Sequence, residues 1–268
     1  MSPEELYLDL LKRCLNRSAF GGDLHMLQPA ADTLIGRAYL PVQRLLHHFG
    51  LRLVSRVSAE RVAAGKYWPA TAETMLSQAR LDNIQESITA AIVEKIPGDL
   101  IETGVWRGGG TILMRAVLAA YGDTTRRVWV ADSFKGLPRP GAAYAADAGD
   151  QHWKYRELAV SLDEVRANFA RYGLLDEQVR FLPGWFADTL PAAPIERLAV
   201  LRLDGDMYGS TMDALVPLYP KVSPGGFVII DDYELAGCRQ AVDEYRADHG
   251  IRDELVSVDH TAVFWRKR

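Results

Sequence analysis

The 268-residue chain predicts an α/β protein in which a mostly parallel sheet wound with helices follows a helical N-terminal region. Three observations carry this. After Pro97-Gly98, short apolar runs alternate with helical stretches, the pattern of successive βα units. Before that point, apolar residues recur at helical rather than strand spacing. The last two apolar runs, ELVSVD and TAVFW, are separated by little more than His260, too short a link for a parallel crossover, so they predict an antiparallel hairpin.

In chain order, Leu6, Leu10, Leu11, Cys14 and Leu15 mark a first helix over Ser2 to Arg17, with Ser2 as N-cap and Glu4 and Glu5 in its first turn. Ile35, Ala38, Tyr39, Val42, Leu45, Leu46 and Phe49 form a second helical stripe that ends at Gly50. A third helix is predicted from Thr71 to Ile96, stopped by Pro97-Gly98. The strands follow: DLIET (Asp99 to Thr103), RVWVAD (Arg127 to Asp132), VRFLPG (Val179 to Gly184), LAVLRLD (Leu198 to Asp204) and GFVIIDD (Gly226 to Asp232). Residues 138–158, rich in alanine, glycine and proline, read as a long excursion over the mouth of the sheet, as lids and binding loops usually do; a connector without function is the alternative. No repeat or low-complexity linker divides the chain. Residues 1–70 read as a helical N-terminal extension and 71–268 as the α/β domain.

Composition narrows the function. Lysine and arginine total 31 against 35 acids, a net charge of -4 without the basic excess that nucleic-acid binding needs. Two cysteines, Cys14 and Cys238, give neither a disulfide framework nor a thiolate metal site and fit a reducing compartment. No apolar run approaches the roughly 20 residues of a membrane helix, and the acidic start MSPEELYLDLLKR does not read as a signal peptide. A cytoplasmic protein without membrane or nucleic-acid partners is expected.

In an open parallel sheet the ligand crevice lies outside the carboxyl ends of the strands. Those ends are acidic here: Glu102, Asp132, Asp204-Gly205-Asp206 and Asp231-Asp232. The turn ETGVWRGGG could bring backbone close to a ligand and opens a helix with free N–H groups. It is not a dinucleotide fingerprint, because Val105 replaces the second glycine and Trp106 and Arg107 crowd the place of a pyrophosphate; a tight turn without a ligand is the plainer alternative. Asp132 stands where an acid accepts hydrogen bonds from both ribose hydroxyls of an adenosine, and an adenosine cofactor lacking a pyrophosphate is S-adenosylmethionine. An Asp-Ser pair can equally be a helix cap. Asp204, Asp231 and Asp232 would end adjacent strands, where carboxylates repel unless protonated or bridged by a cation. All-oxygen ligation points to magnesium. One such aspartate is as a rule a cap; three on neighbouring strands favour a metal.

GDLIETGVWRGGG, VWVADSFKGLP, NFARYGLLDEQVRFLPGWFADTLP, ERLAVLRLDGDMYGSTMDAL and KVSPGGFVIIDDYELAGCRQAVDEYR resemble the macrocin O-methyltransferase family over roughly Thr71 to the C-terminus. The resemblance implies the class I S-adenosylmethionine-dependent methyltransferase fold, Rossmann-like with a seven-stranded sheet and an antiparallel last strand. It also implies magnesium-dependent methylation of a deoxysugar hydroxyl on an antibiotic-like product, a small glycosylated acceptor. Carried over by position, Asp204, Asp231 and Asp232 match the metal ligands and Asp206 the general base, while Glu102, Thr103, Gly104, Asp132 and Ser133 match the cofactor site. Trp185 and Phe186, after Gly184, fall where the adenine is expected. The stretch from Met26 to Ala64 reads as longer than the family's N-terminal region. Its apolar stripe predicts a homo-oligomer in which this segment and residues 138–158 shape the acceptor pocket; packing of the stripe on its own domain as ordinary core is the alternative. The alternatives are a catechol-type methyltransferase and a dinucleotide-dependent oxidoreductase.

Overall fold

The computed structural model describes residues 1–26, 34–51 and 53–268. They form two compact units, one of residues 9–78 and one of residues 1–8 with 79–268. The first helix, α1 (Pro3–Leu15), starts as its sequence predicts. Ser2 Oγ accepts the Glu5 N–H at 3.2 Å, and Glu5 Oε2 accepts the Ser2 N–H at 2.8 Å, a reciprocal capping box.

In the smaller unit, β1 (Leu24–Met26) pairs antiparallel with β2 (Val54–Arg56), with α2 (Leu34–His48) between them in sequence and α3 (Ala59–Ala63) after. The sequence shows neither strand, because three residues are too few to display alternation and the pairing spans some thirty positions. Val57, Val62 and Tyr67 make a small core. Buried Asp23 ties the segment together, accepting the Thr71 hydroxyl at 2.5 Å and the Ala72 N–H at 3.3 Å. On α2 the predicted stripe is largely exposed: Val42, Leu45 and Phe49 keep 47%, 60% and 67% of their surface. The side chain of Ile35 lies outside the described residues.

The third helix is shorter than its periodicity suggests. Residues 71–77 stay irregular, with the Thr74 hydroxyl accepting the Leu76 N–H at 3.1 Å in place of a helical bond. Helix α4 (Gln78–Val93) ends where Lys95 turns left-handed at φ 55°, letting the Ile96 N–H reach back to the Ala91 carbonyl at 2.9 Å.

Seven strands build the large sheet. They are β3 (Asp99–Thr103), β4 (Val128–Asp132), β5 (Val179–Pro183), β6 (Leu198–Leu203), β7 (Val222–Ile230), β8 (Val256–Ser257) and β9 (Val263–Arg266). Their order is β5-β4-β3-β6-β7-β9-β8. All pairs from β5 to β7 are parallel, and β9 runs antiparallel to both β7 and β8, with Val256 opposite Phe264. Every predicted strand is present. β7 begins four residues before the predicted Gly226, because the chain passes through a register irregularity between its pairings at Val222 and Phe227. Helices α5 (Gly109–Ala120), α6 (Leu162–Arg171), α7 (Phe186–Thr189), α8 (Tyr208–Leu218) and α9 (Ala236–Asp248) connect the strands. Leu201, Val228, Ile230, Leu215, Val242, Tyr245 and Trp265 are buried in one core between β6, β7, β9 and the helices α8 and α9. Both cysteines are free thiols. No helix among the described residues is long and apolar enough to cross a membrane.

Candidate functional site

Backbone hydrogen bonds carry the sheet one residue past its strands. The Gly184 N–H donates to the Asp132 carbonyl, Gly104 to Ala131, Asp204 to Thr103 and Asp231 to Leu203, each at 2.9 Å. This row sets Asp132, the Glu102–Gly104 turn, Asp204 and Asp231 side by side. It straddles β3 and β6, where the chain reverses its direction of winding and open α/β sheets form their crevice.

Asp204, Asp231 and Asp232 each offer a carboxylate oxygen to one point, all within 4.8 Å of one another. Asp206 stands in the left-handed region at φ 57°, and its N–H donates to Asp232 Oδ2 at 2.9 Å. A non-glycine residue held there is a strained placement that a functional turn commonly fixes. Burial raises the Asp206 carboxyl to about 7, helped by repulsion from Asp204. Asp204 rises to about 6 by burial and the charge of Asp231, and Asp232 stands well above its ordinary value by burial and by repulsion from neighbouring carboxylates, Asp206 the strongest of them.

Two arginines that the sequence patterns do not single out organise these acids. Arg202, fully buried on β6, reaches Glu102, Asp204 at 2.9 Å and Asp231. Arg80 on α4 bonds Asp231 at 2.5 Å and Asp259 at 3.1 Å. A signal for Arg202 existed: a charge inside LAVLRL, an otherwise continuous apolar run of a central strand, must find buried partners. Arg80 and Asp259 lie too far from the motifs for spacing to connect them.

The glycine turn is built by close approach. A Cβ on Gly104, at φ 87°, would lie 1.6 Å from the Asp204 carbonyl oxygen. One on Gly110 would meet Glu102 Oε1 at 2.4 Å, so the start of α5 rests on that carboxylate. Burial lifts Glu102 to about 8 against the pull of Arg202. Thr103 Oγ1 is buried without a protein hydrogen-bond partner, while the Glu102 carboxylate lies against the first residues of α5 and is eased by the Thr111 backbone N–H. Asp132 also clamps the loops: Oδ2 accepts the Val105 N–H at 2.8 Å and Oδ1 the Phe134 N–H at 2.7 Å. The Ser133 hydroxyl donates to the Gly136 carbonyl at 2.7 Å, closing its own turn. Gly184, at φ 139°, leads into Trp185, which caps α7 and lines a cavity of about 740 Å³ with Leu137, Pro138, Arg139, Trp153, Lys154 and Arg156. Phe186 instead packs against the core.

The long excursion is ordered by three single 3₁₀ turns, Ala145–Asp147, His152–Lys154 and Arg156–Leu158. Trp106 Nε1 donates to the Glu157 carbonyl at 2.9 Å, joining it to the glycine turn. Its His152, bonded to Asp150 at 2.8 Å, lies near enough to draw the Asp206 carboxyl down, while Asp150 opposes it.

A family model described as Macrocin-O-methyltransferase (TylF) matches residues 4–267. The chain is 51% identical over 266 residues to 8-demethyl-8-(2,3-dimethoxy-alpha-L-rhamnosyl)-tetracenomycin-C 4'-O-methyltransferase of Streptomyces olivaceus, covering 98% of this chain and 92% of that one. It is 47% identical to the mycinamicin III 3''-O-methyltransferase of Micromonospora griseorubida, covering 100% and 99%. The structure of the O-methyltransferase NovP superimposes with a TM-score of 0.85 at 46% identity over 98% of this chain and 99% of that one. The chain belongs to the macrocin O-methyltransferase family; it is an O-methyltransferase with the class I S-adenosylmethionine-dependent fold. The likeness runs further than the motifs suggest: it includes the segment from Met26 to Ala64, which by sequence alone reads as an addition to the family pattern.

Proposed function

We propose that this O-methyltransferase uses S-adenosylmethionine and magnesium to methylate a hydroxyl of a deoxysugar on an antibiotic-like natural product. The observation that carries the reading is the oxygen-only set of Asp204, Asp231 and Asp232 converging within 4.8 Å, with Asp206 two residues beyond the first of them. Relatives whose names specify sugar positions on glycosylated products support the acceptor class. The donor set fits a hard divalent cation, since mutually repelling carboxylates with raised proton affinity are relieved by one. The buried Thr103 Oγ1, with no protein hydrogen-bond partner at the strand end beside Gly104, fits a cofactor lying across the Glu102–Gly104 turn. Asp132 and Ser133 would hold its ribose end, and Gly184, Trp185 and Phe186 the adenine end.

A sugar hydroxyl loses its proton only far above neutral pH, so transfer requires a base and an aligned acceptor oxygen. When bound, a divalent cation supplies Lewis acidity toward the acceptor hydroxyl. Asp206, with a proton affinity near neutrality from burial and neighbouring charge, would accept the hydroxyl proton as the oxygen–methyl bond forms and the methyl carbon–sulfur bond breaks, its electron pair remaining on sulfur as a neutral thioether. Its left-handed backbone and its hydrogen bond to Asp232 hold the carboxylate beside the ligand set. Arg202 bonds Glu102, Asp204 and Asp231 at once, so the cofactor turn and the ligand set are tied to one side chain.

The same reading takes the protein as a cytoplasmic homo-oligomer. Its test is a panel of glycosylated natural products and free catechols, incubated with labelled S-adenosylmethionine with magnesium or a chelator. Methyl transfer to a sugar hydroxyl, lost on chelation, is expected. Transfer to phenols alone, or full activity in chelator, overturns it.

A further inference from the structure

Helix α8 follows directly on the turn that carries Asp206, yet its own N-cap, Met207, supplies no side-chain acceptor. The cap comes from sixty positions earlier. Asp147, in the first 3₁₀ turn of the 138–158 segment, is buried and accepts the Tyr208 N–H at 2.8 Å on Oδ1 and the Gly209 N–H at 2.9 Å on Oδ2. Both carboxylate oxygens are thus spent on the first amides of α8, where the helix dipole favours negative charge. A second tie lies one turn further along, where the Tyr144 hydroxyl donates to Asp213 Oδ1 at 2.6 Å.

Two glycines make room for this contact. A Cβ on Gly209 would lie 2.5 Å from the Tyr144 ring and 2.9 Å from Asp147 Oδ2, although its backbone is ordinary helix that alanine would favour. A Cβ on Gly237 would lie 3.2 Å from the Tyr208 nitrogen and 3.6 Å from Asp147 Oδ1. The steric requirement at Gly209 is therefore a requirement of the docked segment and not of the helix.

We propose that Asp147 is a positioning residue: seated on the amides of α8, it latches the 138–158 segment shut and, through the otherwise uncapped start of that helix, fixes the turn bearing Asp206. Latch and base then stand on opposite sides of one residue, Met207. Closing the lid and placing Asp206 become a single event, which orders the acceptor side only when the segment is down. The inference rests on the proposed methyl transfer only in taking Asp206 as the group that meets the acceptor.

Asp147→Asn and Gly209→Ala, made in the full-length protein, test it by unrelated routes. Asparagine keeps the shape but turns an amide N–H toward a backbone N–H; alanine keeps the carboxylate but pushes it and Tyr144 away. Limited trypsin digestion read by mass spectrometry follows cleavage at Lys154 and Arg156 relative to sites elsewhere. Both variants should be cut in this segment about ten-fold faster than wild type, as expected for losing a charge-assisted contact. Acceptor KM should rise and kcat fall by a similar factor, with the melting temperature of Gly209→Ala at or above wild type. Unchanged cleavage in both variants overturns the latch. A lower melting temperature for Asp147→Asn, with kinetics intact and Gly209→Ala silent, reduces Asp147 to a stabilising cap and also overturns it. If the wild type methylates no sugar acceptor, the functional reading fails while the digestion still decides the latch.

Discussion

Without a cation the carboxylate cluster should make the protein less stable as pH rises, and magnesium should cancel that loss. Asp206 keeps its proton in the folded state up to about 7, whereas an unfolded chain releases it near 3.8. Between those values the folded protein binds more protons than the unfolded one, so stability is highest below the window, falls through it and is flat above. The shift is worth roughly 4 kcal/mol at about 1.4 kcal/mol per pH unit; solvent reaching a half-buried carboxylate screens this, to about 2 kcal/mol. Asp204, raised to about 6, and Glu102, raised to about 8, act with the same sign. For a chain of this size about 2 kcal/mol lowers the melting temperature by roughly 4–8 °C. Magnesium at a hundred times its dissociation constant would return about 2.7 kcal/mol, and only where the carboxylates are ionised. Calorimetry at pH 5, 6, 7 and 8, in chelator and in millimolar magnesium, checks this. Expected are a falling melting temperature in chelator, a magnesium effect that grows from pH 5 to 8, and a shallower slope in Asp206→Asn. A chelated protein that gains stability from pH 5 to 8, or a magnesium effect equal at both ends, refutes the reasoning.

Asp204→Ala should abolish methyl transfer with the melting temperature nearly unchanged, because it removes a repelling carboxylate while Arg202 keeps Glu102 and Asp231; activity above a few per cent of wild type would contradict it. Asp231→Ala, equivalent by sequence, should instead destabilise strongly, by about 3 kcal/mol or more, since Arg80 and Arg202 lose their shared acceptor; chemical denaturation measures the difference between the two variants. Asp132→Ala should weaken S-adenosylmethionine binding by about 1–3 kcal/mol in titration calorimetry, and an unchanged affinity would place the ribose elsewhere. The homo-oligomer expected from the exposed stripe of α2 is checked by light scattering on the full chain; a monomeric mass removes that expectation.

What is legible in the sequence and what stays hidden follow from the range of the interactions. The strands of the large sheet and the closing hairpin announce themselves because each is an apolar run bounded by turn chemistry, a local property. The acids stand out because a parallel sheet gathers its carboxyl ends on one edge, so a residue just past a strand is assigned to that edge by its position along the chain. The hairpin of β1 and β2 stays hidden, since its strands are short and distant. Arg80, Asp259 and Asp147 are hidden for the same reason: each meets its partner across more than sixty residues, where spacing carries no information. The end of β6 shows the boundary well. Asp204 belongs to the site by its position, but Arg202, two residues earlier on the same strand, looks like an interruption of the apolar run and is explained only by its three partners in the fold.

That pairing changes how the acids should be understood. From sequence alone, Asp204, Asp231 and Asp232 are carboxylates awaiting a cation, with Glu102 on the cofactor side and Asp206 as the base. In the fold, two buried arginines already balance part of the charge, with Asp231 shared between them. A cluster left with no counter-charge would protonate throughout and lose its ability to collect a metal, whereas one fully paired would have no use for it. Counting Asp259, which also pairs with Arg80, six acids against Arg202 and Arg80 leave an excess that a divalent ion would partly neutralise, and the acids least engaged by arginine are Asp206 and Asp232, joined to each other through the Asp206 amide. The arginines thus leave the unbalanced charge on the side of the cluster where the proposed base, Asp206, stands. Replacing Arg202 with methionine should therefore cost more than an ion pair. With Glu102, Asp204 and Asp231 released together, both cofactor affinity and metal affinity should drop in the same variant, measured separately by titration with S-adenosylmethionine and with manganese as a magnetic probe. Loss of one with full retention of the other would show that the two halves of the site are held independently.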